Sequence, residues 1–460
     1  MTRLHRWRAD AAELIRLAAP VVVSRAGILT MALVDTAVVG RYATDELAFL
    51  AIASAILGVI LTAEVGLLMG TLIVAANAYG AGRFEACGAA WRFAMPYSVA
   101  LGFAGLAVCL VGEPMLRWSG QEEAVAVGGG AVLAVLGLAL PFAMVHVAGS
   151  FFLEGIKRPM PGMVMMVAAN VANLALNVVL VFGLDPIPAM GAEGSAWATT
   201  IVRIWLAAVI VIYILTMTDH ARFAVRRPIP GTWRQFWRGG AELRRLGYAA
   251  GASIGAETAS FGVLSIFAGW ISVAALAAHS IALNVLALIF MVSLGIASAT
   301  TVRVGVARGR GDWAGTALAG WIGLGLNSAI MAVVGVLLYL SPEPLAAIYS
   351  PDPVVIALTA PLMAFSATIV IADGGQVVMA HALRGRGDTW VPTVMHMISY
   401  LGIMVPLAWA LALPAGRGLY GIYEAILVAS IVVVLLEAGR FHWLARRDQR
   451  VMAARAGAVI

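Results

Sequence analysis

The sequence predicts an all-α polytopic membrane protein, with twelve transmembrane helices in two pseudo-symmetric six-helix bundles. Of its 460 residues, 62% are hydrophobic and only 12% are charged, whereas soluble chains average about 25% charged residues. The mean hydropathy is +0.93. Continuous apolar runs of about 20 residues or more recur along the chain, and that length lets an α-helix cross a bilayer. These observations exclude a water-soluble enzyme.

The apolar runs give the twelve helices in chain order. Their ranges are about 12–39, 48–77, 90–111, 125–151, 159–183, 191–217, 246–272, 277–302, 315–340, 354–382, 390–413 and 419–439. The first run follows a basic segment, as in a signal peptide. Because it is too long and no small-residue cleavage site follows it, we expect an uncleaved span.

The basic residues are distributed unevenly among the loops between these helices. Both ends of the chain and alternate loops hold 25 of the 30 arginines and lysines, and the loops on the opposite side hold three. The positive-inside rule therefore predicts that both termini and the basic segment 218–245 are cytoplasmic. The net charge of +6 thus reflects membrane topology and does not indicate nucleic acid as a partner.

The two halves of the chain resemble each other. A shift of 229 residues, without gaps, places the second helix on the eighth and the loop 80–83 on the loop 308–311. Internal repeats of this kind are typical of secondary transporters. We therefore predict an N-terminal bundle at 1–217, a cytoplasmic linker at 218–245 and a C-terminal bundle at 246–460.

Two acids lie deep in apolar runs of the second half. On the seventh span, Ser253, Glu257 and Ser260 are spaced so that they share one helix face, and on the tenth span Asp373 and Gln376 do the same. A carboxylate at the middle of a bilayer costs roughly 2.5–3.5 kcal/mol on insertion scales. Two neighbouring carboxylates repel, so one would hold a proton or the pair would hold a cation. We predict that Glu257 and Asp373 bind a monovalent cation, Na+ or H+.

The first half has its own polar groups. Asp35 lies near the end of the first span, and Asn170, Asn173 and Asn177 form a one-sided stripe on the fifth. Such a stripe is suited either to hydrogen-bonding a carboxylate across a helix interface or to holding two helices together. Both interpretations remain open from the sequence.

Other polar residues within the spans carry weaker predictions. Arg25 and Glu64 are placed so that they could neutralise each other, and Glu424 and Glu437 lie near the ends of the last span, where water or arginines could reach them. The histidines of the spans occur singly, which is typical of packed polar residues: His146, His381 and His396.

Catalytic and nucleotide-binding motifs are missing from the sequence. Its one lysine, Lys157, is followed by arginine, so it cannot belong to a phosphate-binding loop, and HExxH, CxxC and GxSxG do not occur. We therefore expect neither an enzyme nor a cofactor. Transport must draw on an ion gradient or on a partner subunit.

Several segments resemble the multidrug and toxic compound extrusion (MATE) family, most closely its NorM-type bacterial branch. They are VDTAVVGRY, FFLEGIKRPMPGMVMMVAANVANLALNVVLVFG and MGAEGSAWAT in the first half, and GYAAGASIGAETASFGVLS, AAHSIALN and ADGGQVVMAHALRGRGDT in the second. The resemblance runs from about residue 12 to residue 440, and the order of the segments makes it specific.

This resemblance implies two bundles around a V-shaped cleft, and antiport of organic cations and drugs against Na+ or H+ across the bacterial inner membrane by a monomer. It also implies coupling roles for Glu257, Asp373 and Asp35, with the asparagines of the fifth span beside Asp35. Ile369 departs from the pattern, because some relatives carry an aromatic hydroxyl one turn before the acid of the tenth span. Na+ and H+ therefore remain alternatives.

Two other function classes are weighed against this one. A lipid-linked-precursor flippase would need several cationic residues along its path, and the spans offer only Arg25 and Arg203. A channel typically repeats around its pore as an oligomer, which two covalently joined six-helix halves do not indicate.

Overall fold

The computed structural model describes residues 3–228 and 231–457. Residues 1–2, 229–230 and 458–460, which the predicted bundles and linker include, lie outside that part. Among the described residues the regular elements are helices, apart from an isolated β-bridge between Leu184 and Ile187. The predicted all-α class is confirmed.

The first half contains eight helices within the described residues. They are α1 (Arg3–Tyr42), α2 (Thr44–Gly80), α3 (Phe84–Leu110), α4 (Gly112–Trp118), α5 (Glu123–Leu138), α6 (Leu140–Gly155), α7 (Met160–Phe182) and α8 (Gly191–Thr216). The break between α5 and α6 comes just before Pro141, which stands in the first turn of α6. Proline lacks a backbone N–H, so it begins a helix readily and interrupts one that would run through it.

The rest of the described chain continues in the same way. It contains α9 (Trp233–Gly239), α10 (Ala241–Ile271), α11 (Val273–Gly309), α12 (Trp313–Leu340), α13 (Pro342–Tyr349), α14 (Pro353–Gly385), α15 (Trp390–Met397), a π-helical segment (Ile398–Met404), α16 (Val405–Ala412) and α17 (Gly418–Gly457).

The helices reproduce the predicted number of membrane crossings. Within the described residues, 11 spans are long and apolar enough to cross a bilayer, and there are 12 if α5 and α6, bent by 41° at their break, form one crossing. This bent pair covers the predicted fourth helix, 125–151. In a bilayer every backbone N–H and C=O must be bonded within the protein, and continuous helices meet that requirement.

The repeat is visible in the helix boundaries. A shift of 229 residues carries α2 onto α11, and a shift of 230 carries the α5–α6 pair onto α14 and α7 onto the stretch from α15 to α16. The halves differ at two places. The α5–α6 break has no counterpart in the continuous α14, and the π-helical segment has none in α7.

The chain forms two compact units, which we call the N unit (Val23–Gly251) and the C unit (Met1–Val22 with Ala252–Ile460). The boundaries fall inside α1 and inside α10, and the division into 1–217, 218–245 and 246–460 stays a prediction. In the N unit, Phe223 of the predicted linker is buried and its ring centroid lies 6.1 Å from that of Phe152. In the C unit, α14 packs against α11, α12 and α17.

Glycine permits a close approach between α2 and α10 inside the N unit. A Cβ atom on Gly70 would lie 1.9 Å from the carbonyl oxygen of Leu243, and one on Gly247 would lie 1.9 Å from that of Leu67. Small residues are how membrane helices bring their backbones together, since no hydrophobic force draws them together within lipid.

We expect Gly70→Ala to destabilise the protein by about 1–3 kcal/mol, because the added methyl group meets backbone that cannot rotate away. The measurement is the thermal unfolding midpoint of purified protein in detergent. Gly58→Ala on the same helix is the matched control, since a Cβ there has no atom within 4 Å. Equal midpoints for the two variants would contradict this account of the helix contact.

Candidate cation-binding site

The acids of the seventh and tenth spans meet in the C unit. Glu257 on α10 and Asp373 on α14 are close enough to repel each other electrostatically. Gln376, one turn after Asp373, is fully buried and donates from Nε2 to Oε1 of Glu257 over 3.4 Å. The structure therefore brings Glu257, Asp373 and Gln376 together.

Tyr400 adds an aromatic hydroxyl to these residues. It is fully buried, and its side chain faces both Glu257 and Asp373 from the π-helical segment. π-Helical turns occur frequently at functional sites, because the extra residue re-aims a side chain. Ile369, where some relatives carry an aromatic hydroxyl, is packed in the apolar core instead. The hydroxyl thus comes from a different helix.

Three oxygen atoms of this site lack protein partners. Oδ1 of Asp373, Oε1 of Gln376 and the hydroxyl of Tyr400 are buried and make no regular hydrogen bond with the described residues. Leaving a buried polar atom unsatisfied costs about 1–3 kcal/mol, so such atoms in a folded protein call for a water, an ion or a function. These oxygens are of the kind that a hard cation or a proton seeks.

A second group of buried polar residues adjoins the acids. His396 on α15 accepts or donates through Nδ1 to the Ser253 hydroxyl at 2.9 Å, and its Nε2 lies 3.0 Å from Oε1 of Glu437 on α17. Arg384 on α14 donates from Nη2 to the same Ser253 hydroxyl at 3.0 Å. Ser253 therefore connects an imidazole and a guanidinium.

The charges of this region do not balance. It holds three carboxylates, those of Glu257, Asp373 and Glu437, and Arg384 is the permanently charged cation that interacts with Glu257 and Glu437. His396 interacts favourably with all three acids. When the carboxylates are ionised and the imidazole is neutral, the region has room for two further positive charges.

Ser260 and several expected features lie apart from this cluster. The Ser260 hydroxyl donates to the Ala256 carbonyl of its own helix at 2.8 Å. The expectation that water reaches Glu437 is wrong: α17 continues to Gly457, so this residue is 0% exposed at mid-helix. Glu424 is reached by an arginine as expected, with Nη2 of Arg417 2.6 Å from its Oε1.

The N unit has a separate polar cluster around Asp35. Asn177 donates from Nδ2 to Oδ1 of this acid at 2.8 Å, and the Thr199 hydroxyl donates to Oδ2 at 2.7 Å. Asn173 donates to the Thr199 hydroxyl at 3.2 Å, and Arg203 interacts electrostatically with Asp35. Two of the three predicted asparagines thus belong to this cluster.

The remaining polar residues of the N unit have other partners. Asn170 donates to the Met166 carbonyl of its own helix. Arg25 does not pair with Glu64, because its Nη2 lies 3.4 Å from Oε1 of Glu154 on α6. Glu64 instead faces Gly105, where a Cβ atom would lie 2.4 Å from the carboxylate. The neutralisation of Arg25 was assigned to the wrong acid because sequence does not show which helices touch.

Sequence reasoning missed four residues of these clusters. Thr199 and Tyr400 are common in apolar spans, His396 was interpreted as a packed polar residue, and Arg384 was counted as a loop cation. Among the described residues no three His, Cys, Asp or Glu side chains converge as a metal site would require. A cation at Glu257 and Asp373 would therefore complete its shell with uncharged oxygens.

Comparison with known proteins identifies the family. A sequence model of the MatE family matches residues 20–179 and 251–410. The Caulobacter vibrioides protein named "Probable multidrug resistance protein NorM" is 42% identical over 443 residues, which cover 96% of this chain and 93% of that protein. The chain belongs to the MATE family, in its NorM-type branch.

Other MATE proteins agree with this assignment. "Multidrug resistance protein PmpM" of Pseudomonas aeruginosa is 30% identical, with 98% of this chain and 96% of that protein covered. The crystal structure of the eukaryotic MATE transporter AtDTX14 superposes with a TM-score of 0.87 at 18% identity, covering 96% of this chain and 99% of that one. This MATE chain is a multi-pass membrane transporter and not an enzyme, and transporters of the family need no cofactor.

We expect Asn177→Ala to lower the unfolding free energy by about 1–3 kcal/mol, because Asp35 would lose a buried donor. Thermal unfolding in detergent measures this. The control is Asn170→Ala on the same helix, which removes an amide that bonds only its own turn. If both variants unfold at the same temperature, the amide bond to Asp35 contributes nothing to stability.

Proposed function

We propose that this protein is a cation-coupled antiporter that exports organic, often cationic, drugs from the cytoplasm by alternating access. Glu257 and Asp373 bind the incoming Na+ or H+, with Gln376, Ser253 and Tyr400 as the surrounding polar groups. Asp35 is a second coupling acid, held by Asn173, Asn177 and Thr199. The names of the NorM and PmpM relatives, both multidrug resistance proteins, support the class of cargo.

One observation carries the coupling part of the proposal. Two carboxylates repel each other beside three buried oxygens that lack regular protein hydrogen bonds. Binding one monovalent cation relieves the repulsion and supplies those oxygens with a partner in one step. Release of the cation restores both costs. The occupied and the empty site therefore differ in free energy, and a ligand shifts a conformational equilibrium only through such a difference.

The membrane potential sets how much transport this coupling supports. One positive charge that moves inward gains about 2.3 kcal/mol per 100 mV. For a neutral drug this sustains a gradient of roughly 50-fold per 100 mV, at 1.4 kcal/mol per factor of ten. When one monocationic drug leaves for each cation that enters, the potential cancels and only the ion concentration gradient drives export. The number of cations per drug thus decides the driving force.

The intramembrane arginines favour this function over transport of a large anionic headgroup. Arg25 lies beside Glu154, and Arg203 interacts with Asp35. Both positive charges are therefore offset by acids of the same unit. We further propose that the protein acts as a monomer in the bacterial inner membrane with both termini in the cytoplasm, which the distribution of arginines supports.

We expect Glu257→Gln and Asp373→Asn each to abolish cation-driven efflux, because an amide cannot take up a proton or neutralise Na+ at neutral pH. The measurement is ethidium flux in proteoliposomes under an imposed Na+ or H+ gradient, and the gradient that drives wild-type flux identifies the ion.

Glu424→Gln is the matched control for these variants. It makes the same change in an acid that pairs with Arg417 outside the cluster, and we expect wild-type flux. Wild-type transport by both Glu257→Gln and Asp373→Asn, with normal membrane insertion, would remove the coupling role of these acids.

We expect Tyr400→Phe to raise the cation concentration for half-maximal flux by about tenfold, because a lost oxygen partner is worth about 1.4 kcal/mol. Tyr423→Phe is the control: this hydroxyl is also buried in the C unit without a regular hydrogen bond, but burial is the only influence on it. The same cation dependence in wild type and Tyr400→Phe would show that the hydroxyl does not contact the cation.

A further inference from the structure

A cavity lined by arginines lies in the C unit, apart from the acidic cluster. Its volume is about 450 Å³. We call it the arginine pocket and define it by six charged residues of its lining: Arg308, Arg386, Asp388, Arg440, Arg447 and Asp448. They come from the end of α11, from the end of α14 with the loop after it, and from the distal part of α17. The positive-inside rule places all three segments on the cytoplasmic side.

The arginine pocket carries an excess of positive charge. Its two carboxylates are engaged: Nε of Arg440 donates to Oδ2 of Asp388 at 3.0 Å, and Arg386 pairs with Asp448. Four guanidinium groups against two carboxylates leave two positive charges over. An anion that entered the cavity would therefore be attracted to it.

Arg386 also retains an unused hydrogen-bond donor. The residue is only 4% exposed, and its Nη1 is buried without a partner among the described residues. A guanidinium presents several N–H groups in a rigid fork that matches the oxygens of a phosphate. The pocket thus combines spare charge with a spare, pre-oriented donor.

The position of the pocket along α17 indicates the depth at which it opens. Leu436, Arg440, Leu444 and Arg447 recur at helical spacing, so they share one face. This face changes from apolar to basic within one turn, and Leu436 is 41% exposed. A span that ends in this way reaches the level of the lipid headgroups.

An exposed tryptophan marks the same level. Trp443 is 51% exposed, and the guanidinium carbons of Arg440 and Arg447 lie 4.9 Å and 5.8 Å from the centre of its ring. Tryptophan is enriched where membrane meets water, because its ring is apolar and its N–H is polar.

We propose that the arginine pocket binds the phosphate group of an anionic phospholipid of the cytoplasmic leaflet. Basic pockets between transmembrane helices on this side of a membrane hold anionic lipid headgroups. Arginine and phosphate form short, charge-assisted hydrogen bonds that are often bidentate. A free phosphate ion shares this chemistry, but the apolar residue one turn away on the same face favours a phosphate that is attached to acyl chains.

The test is native mass spectrometry of the full-length protein in detergent, titrated with phosphatidylglycerol or with zwitterionic phosphatidylcholine. We expect tighter binding of phosphatidylglycerol, and a loss of affinity of about tenfold or more in Arg308→Gln/Arg447→Gln, since each arginine near a charged lipid is worth about 1 kcal/mol. The control is Arg310→Gln/Arg450→Gln, which removes two exposed arginines of the same segments that do not line the cavity. Its affinity should stay within about twofold of wild type.

Three outcomes would overturn the proposal. Equal affinity for the two lipids would show that charge plays no part, and equal losses in the two double variants would show attraction to the surface as a whole. A third arm adds inorganic phosphate. If phosphate at the lipid's own concentration displaced it, the site would belong to a soluble anion. Circular dichroism of both double variants establishes that they are folded, so a lost affinity reports the pocket.

Discussion

A carboxylate held away from water has to be compensated within the protein, and both units are arranged around this requirement. Desolvation of an ion costs several kcal/mol even after the surroundings relax. In the N unit the compensation for Asp35 is nearly complete, with an amide, a hydroxyl and an arginine around it. In the C unit, three acids share one arginine and one histidine. The C unit therefore has the larger deficit of positive charge.

The deficit arises where the two halves stop being alike. The shift of 230 residues that superposes the fifth span on the eleventh pairs Asn170 with Tyr400. Asn170 bonds the carbonyl one turn back in a regular helix, whereas Tyr400 lies in the π-helical segment and faces two acids. A duplicated scaffold thus supplies the same helices twice, and a local change in helical winding gives one copy a different polar interior.

The arginines of the C unit serve two purposes. Arg384 is 2% exposed and offsets acids inside the span region. Arg440 and Arg447, further along α17, lie beyond the apolar run and beside Trp443. The same residue type is thus an internal counter-charge at one depth and a headgroup-level cation at another, because the solvent around it changes from protein to the membrane surface.

Much of this protein follows from its sequence alone. Run length determined the spans, since the bilayer core demands about 20 apolar residues for each crossing, and the offset of 229 residues disclosed the repeat. Helical spacing placed Asp373 and Gln376 on one face, and insertion cost marked Glu257 and Asp373 as residues with a task. All of these are local properties of one helix or one run.

Only the tertiary structure decided which helices exchange polar contacts. It joined Asn177 to Asp35, gave Arg25 to Glu154 rather than Glu64, and buried Glu437 beside His396. It also brought the Tyr400 hydroxyl to two acids on other helices. The physical reason is that spacing along a helix sets the direction of a side chain, whereas the identity of the atom it meets depends on how neighbouring helices pack.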